Sequence, residues 1–237
     1  MKIIRTFSHF PRSLPGALTL PAVLFLAACA GEASEEEAGP PPNPLLQPRD
    51  FTETAPGTYQ VRLETTKGEI RIVVTRDWAP LAADRFYNLV SAGYYDGVAF
   101  HRVLSGFIAE FGIHGDPWVN AAWRQALMVD EPVRQSNTRG RVSFSKNTPN
   151  SRTVQVFVNL KDNGSLDEQG FSPFGEVAEG MEVVEALYAD YGDGPPRGEG
   201  VYQAMAIARG DEYLNEEFPL LDRIERARIV EDGGSGH

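Results

Sequence analysis

The stretch Tyr94-Tyr95-Asp96-Gly97-Val98-Ala99-Phe100-His101-Arg102-Val103-Leu104-Ser105-Gly106-Phe107-Ile108-Ala109-Glu110-Phe111-Gly112 sets the reading of the whole chain. Glycines punctuate it. Between them lie two short apolar runs, Val98 to Leu104 and Phe107 to Phe111, joined by a turn at Ser105-Gly106. One cation, Arg102, sits inside the first run. A guanidinium in such a place needs a partner or a ligand, because a desolvated charge is costly unless it is paired. Two readings follow: a core-edge ion pair with a nearby carboxylate, or a donor held ready for a ligand.

Upstream, Thr58 to Thr66 alternates apolar and polar residues through Tyr59, Val61 and Leu63. After Lys67-Gly68 the alternation resumes with Ile70, Ile72 and Val74, which predicts a β-hairpin. Asp77-Trp78-Ala79-Pro80 then opens a helix carrying Leu81, Phe86, Leu89 and Val90 at helical spacing, and Gly93 ends it. Downstream, 113–139 has no clear period and reads as a long, partly structured excursion whose tryptophans, Trp118 and Trp123, pack it onto the body. Strands are expected at Gly140–Ser145, Thr153–Leu160 and Phe171–Val177, with a polar loop over Lys161–Gly170. A helix follows over Gly180–Tyr191, then a Gly/Pro loop over 192–200 and a helix over Val201–Asn215; Leu221–Val230 reads as the closing strand, with a helix as the alternative. About eight short strands run consecutively with two or more helices between. That pattern predicts a mainly β fold, a closed antiparallel eight-stranded barrel capped by helices.

Composition narrows the function. The net charge of −11 disfavours nucleic acid, and no basic stripe argues otherwise. One cysteine, Cys29, and four histidines, His9, His101, His114 and His237, cannot assemble a Cys or His metal centre, so no metal and no cofactor is expected. Residues 1–28 carry Lys2, Arg5 and Arg12 with no acids, then an apolar run, as an export signal does. The run is broken by Pro15 and Pro21 and is too short for a membrane span. Leu26-Ala27-Ala28-Cys29 resembles a bacterial lipobox, which implies lipidation of Cys29 and membrane attachment through that lipid. Ala30 after the cysteine resembles the outer-membrane sorting pattern, so the expected location is the periplasmic face of the outer membrane. Residues 29–57, with Glu32, Glu35, Glu36, Glu37 and repeated prolines, read as a disordered acidic tether. The folded domain is then expected over 58–230, with 231–237 as a tail.

Two separated motifs carry a resemblance. Tyr95-Asp96-Gly97, Phe100-His101-Arg102 and Gly106-Phe107-Ile108 match the first signature of the cyclophilins, the peptidyl-prolyl cis-trans isomerases, with Glu110 where that family has Gln. Gly140 to Asn150 and Gln155-Val156-Phe157-Val158-Asn159 match the second, and Asp162-Asn163, Leu166-Asp167 and Phe174-Gly175-Glu176-Val177 follow in the family's order. The resemblance spans roughly 58–190 and looks closest to a bacterial exported branch. It implies that Arg102 and Gln155 are catalytic. It implies that Phe107, Ile108 and Phe157 form a proline pocket, that Ser145 and Lys146 lie where substrate backbone binds, and that Phe171 keeps an apolar wall. The family's aromatic falls on Ser165, with Leu166 as the neighbouring candidate. The partners implied are unfolded, proline-containing polypeptides, bound by a monomer. Glu110 either pre-orients Arg102 or competes with substrate for it. A weakly active peptide-binding or chaperone-like module is therefore the alternative to an active isomerase. A hydrolase is disfavoured: His101 and Ser105 are close in sequence but have no third member or oxyanion signature.

Overall fold

The computed structural model describes residues 43–230. Within them lie eight strands: β1 (Thr58–Thr65), β2 (Gly68–Thr75), β3 (Arg102–Leu104), β4 (Ile108–Phe111), β5 (Arg141–Phe144), β6 (Val156–Asn159), β7 (Pro173–Glu179) and β8 (Ile224–Val230). Six helices join them: α1 (Pro80–Ser91), α2 (Pro117–Trp123), α3 (Ser165–Glu168), α4 (Met181–Glu185), α5 (Gln203–Arg209) and α6 (Asp211–Glu217). The strands form one antiparallel sheet in the order β3-β4-β6-β5-β7-β2-β1-β8.

The sheet curls but does not close into the continuous barrel expected from the strand count. Its edges, β3 and β8, share only the Ala99–Arg223 bridge and the backbone bonds beside it. The reason is length: β3 has three residues and cannot run a ladder along the seven of β8. The Tyr-Asp-Gly motif stitches this gap. Gly97 N–H donates to the Ile224 carbonyl at 2.7 Å, and the Asp96 carboxylate accepts from Ala227 N–H at 2.8 Å and from Arg228. Tyr94 and Tyr95 are buried, and their hydroxyls donate to the carbonyls of Gly112 and Val154.

Alternation explains the hairpin. Tyr59, Val61, Leu63, Ile70, Ile72 and Val74 all turn inward, while the intervening residues face out. α1 lays Ala82, Ala83, Phe86, Leu89 and Val90 on the core, where Phe86 meets Phe174 at 5.1 Å. Its N-terminus is capped from far along the chain. The Glu131 carboxylate accepts the N–H groups of Leu81 and Ala82 at 2.7 and 3.1 Å.

Three other expectations change. The helix expected over 180–191 stops at Glu185. The one expected over 201–215 is two helices, broken at Gly210, whose φ of 57° and ψ of −136° favour glycine. A side chain there would run into the Gly115 carbonyl. Finally, part of the expected tether is docked: from Asn43 onward, Leu45 and Ala55 are buried and Phe51 packs on Trp123 at 5.3 Å. The leader, Cys29, the remainder of the tether and the 231–237 tail lie outside the described residues.

Of the two excursion tryptophans, one behaves as expected. Trp123 is buried in the main core, whereas Trp118 is 74% exposed. A second, smaller core joins Ala99 and Ile113 to Val201, Ala206, Leu214, Phe218 and Leu221 of the C-terminal segment. Among the described residues, no helix is long and apolar enough to cross a membrane.

Candidate active site

Strand register builds the site. Arg102 on β3 is opposite Glu110 on β4, and Glu110 is opposite Phe157 on β6. Residues directly opposite share a face of the sheet, so cation, carboxylate and aromatic ring form one row across three strands. Ile108, two residues before Glu110, joins the same face.

An apolar cluster separate from both cores sits there. Ile108, Phe157 and Leu166 are buried together, with Phe107 and Phe171 packed against them and the rings of Phe157 and Phe171 edge to face at 5.6 Å. Leu166, on α3, is the residue that enters this cluster, while Ser165 faces solvent. Ser165 thus gives the cluster no aromatic wall, and Leu166 takes the place. The polar loop expected at 161–170 thus contains a single helical turn that delivers Leu166.

A groove of about 1330 Å³ runs over this face. Arg102, Phe107, Ile108, Glu110, Ser145, Lys146, Gln155, Phe157, Leu166 and Phe171 all line it. The structure therefore brings together every groove residue singled out in the sequence. Gln155 lines the groove but makes no hydrogen bond to Arg102; its backbone carbonyl accepts the Ser145 N–H at 2.9 Å. That backbone donor of Ser145 is consequently engaged within the protein, at the end of the β5–β6 pairing. Lys146 bonds Asp130 at 2.8 Å and lies 5.5 Å from the centre of the Phe171 ring.

Arg102 is oriented by two carboxylates. Nη1 donates to Glu110 Oε2 at 3.1 Å. Nε and Nη2 donate to the two oxygens of Asp193 at 2.8 and 3.3 Å. Glu110 in turn accepts from Ser145 Oγ at 2.6 Å. Burial opposes the guanidinium's charge, but the bonds and charges of Asp193 and Glu110 outweigh it, and the Arg102 pKa is raised. The bond from Arg102 holds the Asp193 carboxyl below the ordinary aspartate range. A depressed folded value means that the pair is intact at neutral pH, stabilising above the unfolded pKa and failing only as pH falls through the folded one.

Asp193 was not identifiable as a site residue from sequence. It lies 91 positions from Arg102 in a loop of glycines and prolines. The available signal was indirect: an Arg in an apolar strand must find its counter-charge somewhere. Arg197, beside Asp193, and α5 also line the groove and went unassigned. His101 is buried, and burial pushes its imidazole pKa down; Ser105 is exposed, and no hydrogen bond joins them among the described residues. Among those residues there is also no cluster of His, Cys, Asp and Glu fit to hold a metal ion.

One groove thus holds a fixed cation beside an apolar pocket. Comparison with known proteins places the chain. Residues 60–207, more than half of the chain, match the family model described as cyclophilin type peptidyl-prolyl cis-trans isomerase/CLD. Peptidyl-prolyl cis-trans isomerase A of Dickeya dadantii is 31% identical over 132 residues, covering 54% of this chain and 70% of that one. Peptidyl-prolyl cis-trans isomerase B of Escherichia coli is 30% identical over 135 residues, covering 54% and 82%. A cyclophilin-type isomerase structure from Cryptosporidium parvum superposes with a TM-score of 0.54 at 20% identity, covering 74% of this chain and 99% of that one, and supports the fold. The chain belongs to the cyclophilin-type peptidyl-prolyl cis-trans isomerases.

Proposed function

We propose that this protein accelerates X-Pro isomerisation in exported polypeptides by stabilising the twisted amide with Arg102. The amide barrier is about 18–20 kcal/mol because twisting destroys resonance. For X-Pro the end states are close in energy yet exchange over tens of seconds. No bond breaks, so only differential binding of the twisted state is required. In that state the proline nitrogen turns pyramidal and exposes a lone pair, to which a preorganised N–H donor is complementary. The observation that carries the reading is the row of Arg102, Glu110 and Phe157 beside the separate apolar cluster. The ring is held by Phe107, Ile108, Phe157 and Leu166 while the flanking peptide turns. Exchange NMR on a short Ala-Pro-Phe peptide tests it: added protein broadens the cis and trans signals, and sharp signals at substantial protein concentration would sink the proposal.

The doubly paired Arg102 also favours the second reading, a slow enzyme that chiefly holds peptides. Glu110 separates the two. A Gln at that site still accepts from Nη1 and still meets Ser145, but no longer neutralises the guanidinium. Charge-assisted bonds exceed neutral ones by about 1 kcal/mol. Releasing that for the substrate predicts that Glu110→Gln raises kcat/KM about fivefold. If the wild type and Glu110→Gln are equally inert toward the peptide, the holding module is the correct description.

The proposed setting is a lipid-anchored monomer at the periplasmic face of the outer membrane, supported by the basic, apolar leader and Leu26-Ala27-Ala28-Cys29. Radiolabelled palmitate is expected in the wild-type protein and not in Cys29→Ala. Equal label in both would remove the anchor.

A further inference from the structure

We propose that Asp193 is a positioning residue for this reaction, fixing the plane of the Arg102 guanidinium from the C-terminal segment. The inference rests on the role given to Arg102 above. Glu110 alone makes one bond to Nη1, and a planar group held at one point can still swing. Asp193 takes the adjoining edge through Nε and Nη2, a side-on fork. Three of the five guanidinium N–H groups are then engaged. The two that remain are on Nη1 and Nη2, at the tip of the side chain. They are the donors that a substrate amide can meet, and their direction is set by the bonds on the other edges.

Asp193 is itself fixed. Its Oδ1 accepts the Gly194 N–H at 3.1 Å, and its Oδ2 forms an ion pair with Arg197, 2.8 Å from Nε. Its carbonyl accepts the Gly200 N–H at 2.9 Å, which closes the loop on itself. Tyr191 before the loop packs on Phe218 at 5.0 Å, and Val201 after it is buried in the second core. That core also takes in Ala99, three residues before Arg102, and Ile113, three residues after Glu110. Guanidinium and both carboxylates are thus referenced to one small core, which the C-terminal segment completes.

The test uses the full chain with Asp193→Ala, Asp193→Asn and, as a control on the exposed part of the same loop, Glu199→Gln. Each is assayed for kcat and KM on an Ala-Pro-Phe peptide, and the Arg102 Nε–H resonance is followed by NMR. Misplacing a catalytic group by about 1 Å costs about a hundredfold. Asp193→Ala is expected to lower kcat by about ten- to a hundredfold with KM nearly unchanged, and to shift and broaden the Nε–H signal. Asp193→Asn keeps one acceptor and recovers part of the rate; Glu199→Gln matches wild type. Should Asp193→Ala fail to fold, the Asn variant and its Nε–H signal decide. A rate equal to or above wild type, or a change in KM alone, overturns the proposal, the faster rate marking Asp193 as an inhibitory contact instead. If Arg102→Ala is slow while Asp193→Ala is not, this inference fails and the isomerase reading stands. If Arg102→Ala is itself as fast as wild type, the underlying reading has failed.

Discussion

Replacing Arg102 by Ala is expected to lower kcat/KM toward a proline peptide by about a hundred- to a thousandfold, the usual loss when one preorganised donor is removed from a developing charge. Arg102→Lys should recover little of it. An ammonium is a point charge on a flexible stem and cannot occupy Glu110 and Asp193 as a fork while directing two further donors outward. Stability changes too, and must be separated from chemistry. Glu110 is 4% exposed, and without Arg102 its carboxylate is left with Ser145 as its side-chain partner. Breaking a buried pair from one side costs about 3–5 kcal/mol. The double variant Arg102→Ala, Glu110→Gln removes the stranded charge. It is expected to regain much of the lost stability in chemical denaturation while remaining as slow as Arg102→Ala. A double variant that regained activity together with stability would show that the single variant was slow because it was poorly folded.

The parts of this site that could be read from sequence are those written in contiguous motifs, and the parts of the fold are those written in local periodicity. Ile108, Glu110 and Phe157 were placed together only through the resemblance to the family's two signatures; the register that sets them side by side is a property of the fold. The hairpin and α1 were legible from their periods of two and about 3.6. Asp193 was not, because a contact across 91 positions leaves no period in either segment. Barrel closure was not, because it depends on how far β3 extends, and three residues are too few to show a pattern. Trp118 and Trp123 look alike as sequence, and only the short helix between Pro117 and Trp123 turns one outward and the other in. The docked arm over 43–57 has the composition of a tether. A few apolar residues, Leu45, Phe51 and Ala55, suffice to hold it because a ready-made aromatic surface receives them.

That surface is Trp123, and it carries the largest stability prediction. Its ring contacts Phe51 at 5.3 Å and Tyr94 at 5.6 Å, and the Arg85 guanidinium lies over it at 5.2 Å. Its Nε1–H donates to the Leu45 carbonyl at 2.9 Å. One side chain thus joins the N-terminal arm, α2, α1 and the Tyr94 end of the motif stretch. Trp123→Ala removes the largest fully buried side chain among the described residues and leaves a cavity between the N-terminal arm, α1 and Tyr94. The expected cost is about 3–5 kcal/mol. For a domain of this size that is a fall in Tm of roughly 6–20 °C. Trp123→Phe keeps much of the packing and loses the hydrogen bond, leaving the Leu45 carbonyl without its donor; about 1–3 kcal/mol is expected. The order wild type, Phe, Ala in denaturant midpoint is the readout. Proteolysis should follow it, with cleavage within 43–57 appearing in Trp123→Ala under conditions where the wild-type arm is protected. If Trp123→Ala melts with the wild type and its arm stays protected, Trp123 is not what holds the arm, and the docking must rest on Asn88 and Asp84, which bond the backbone of Glu53 and Ala55.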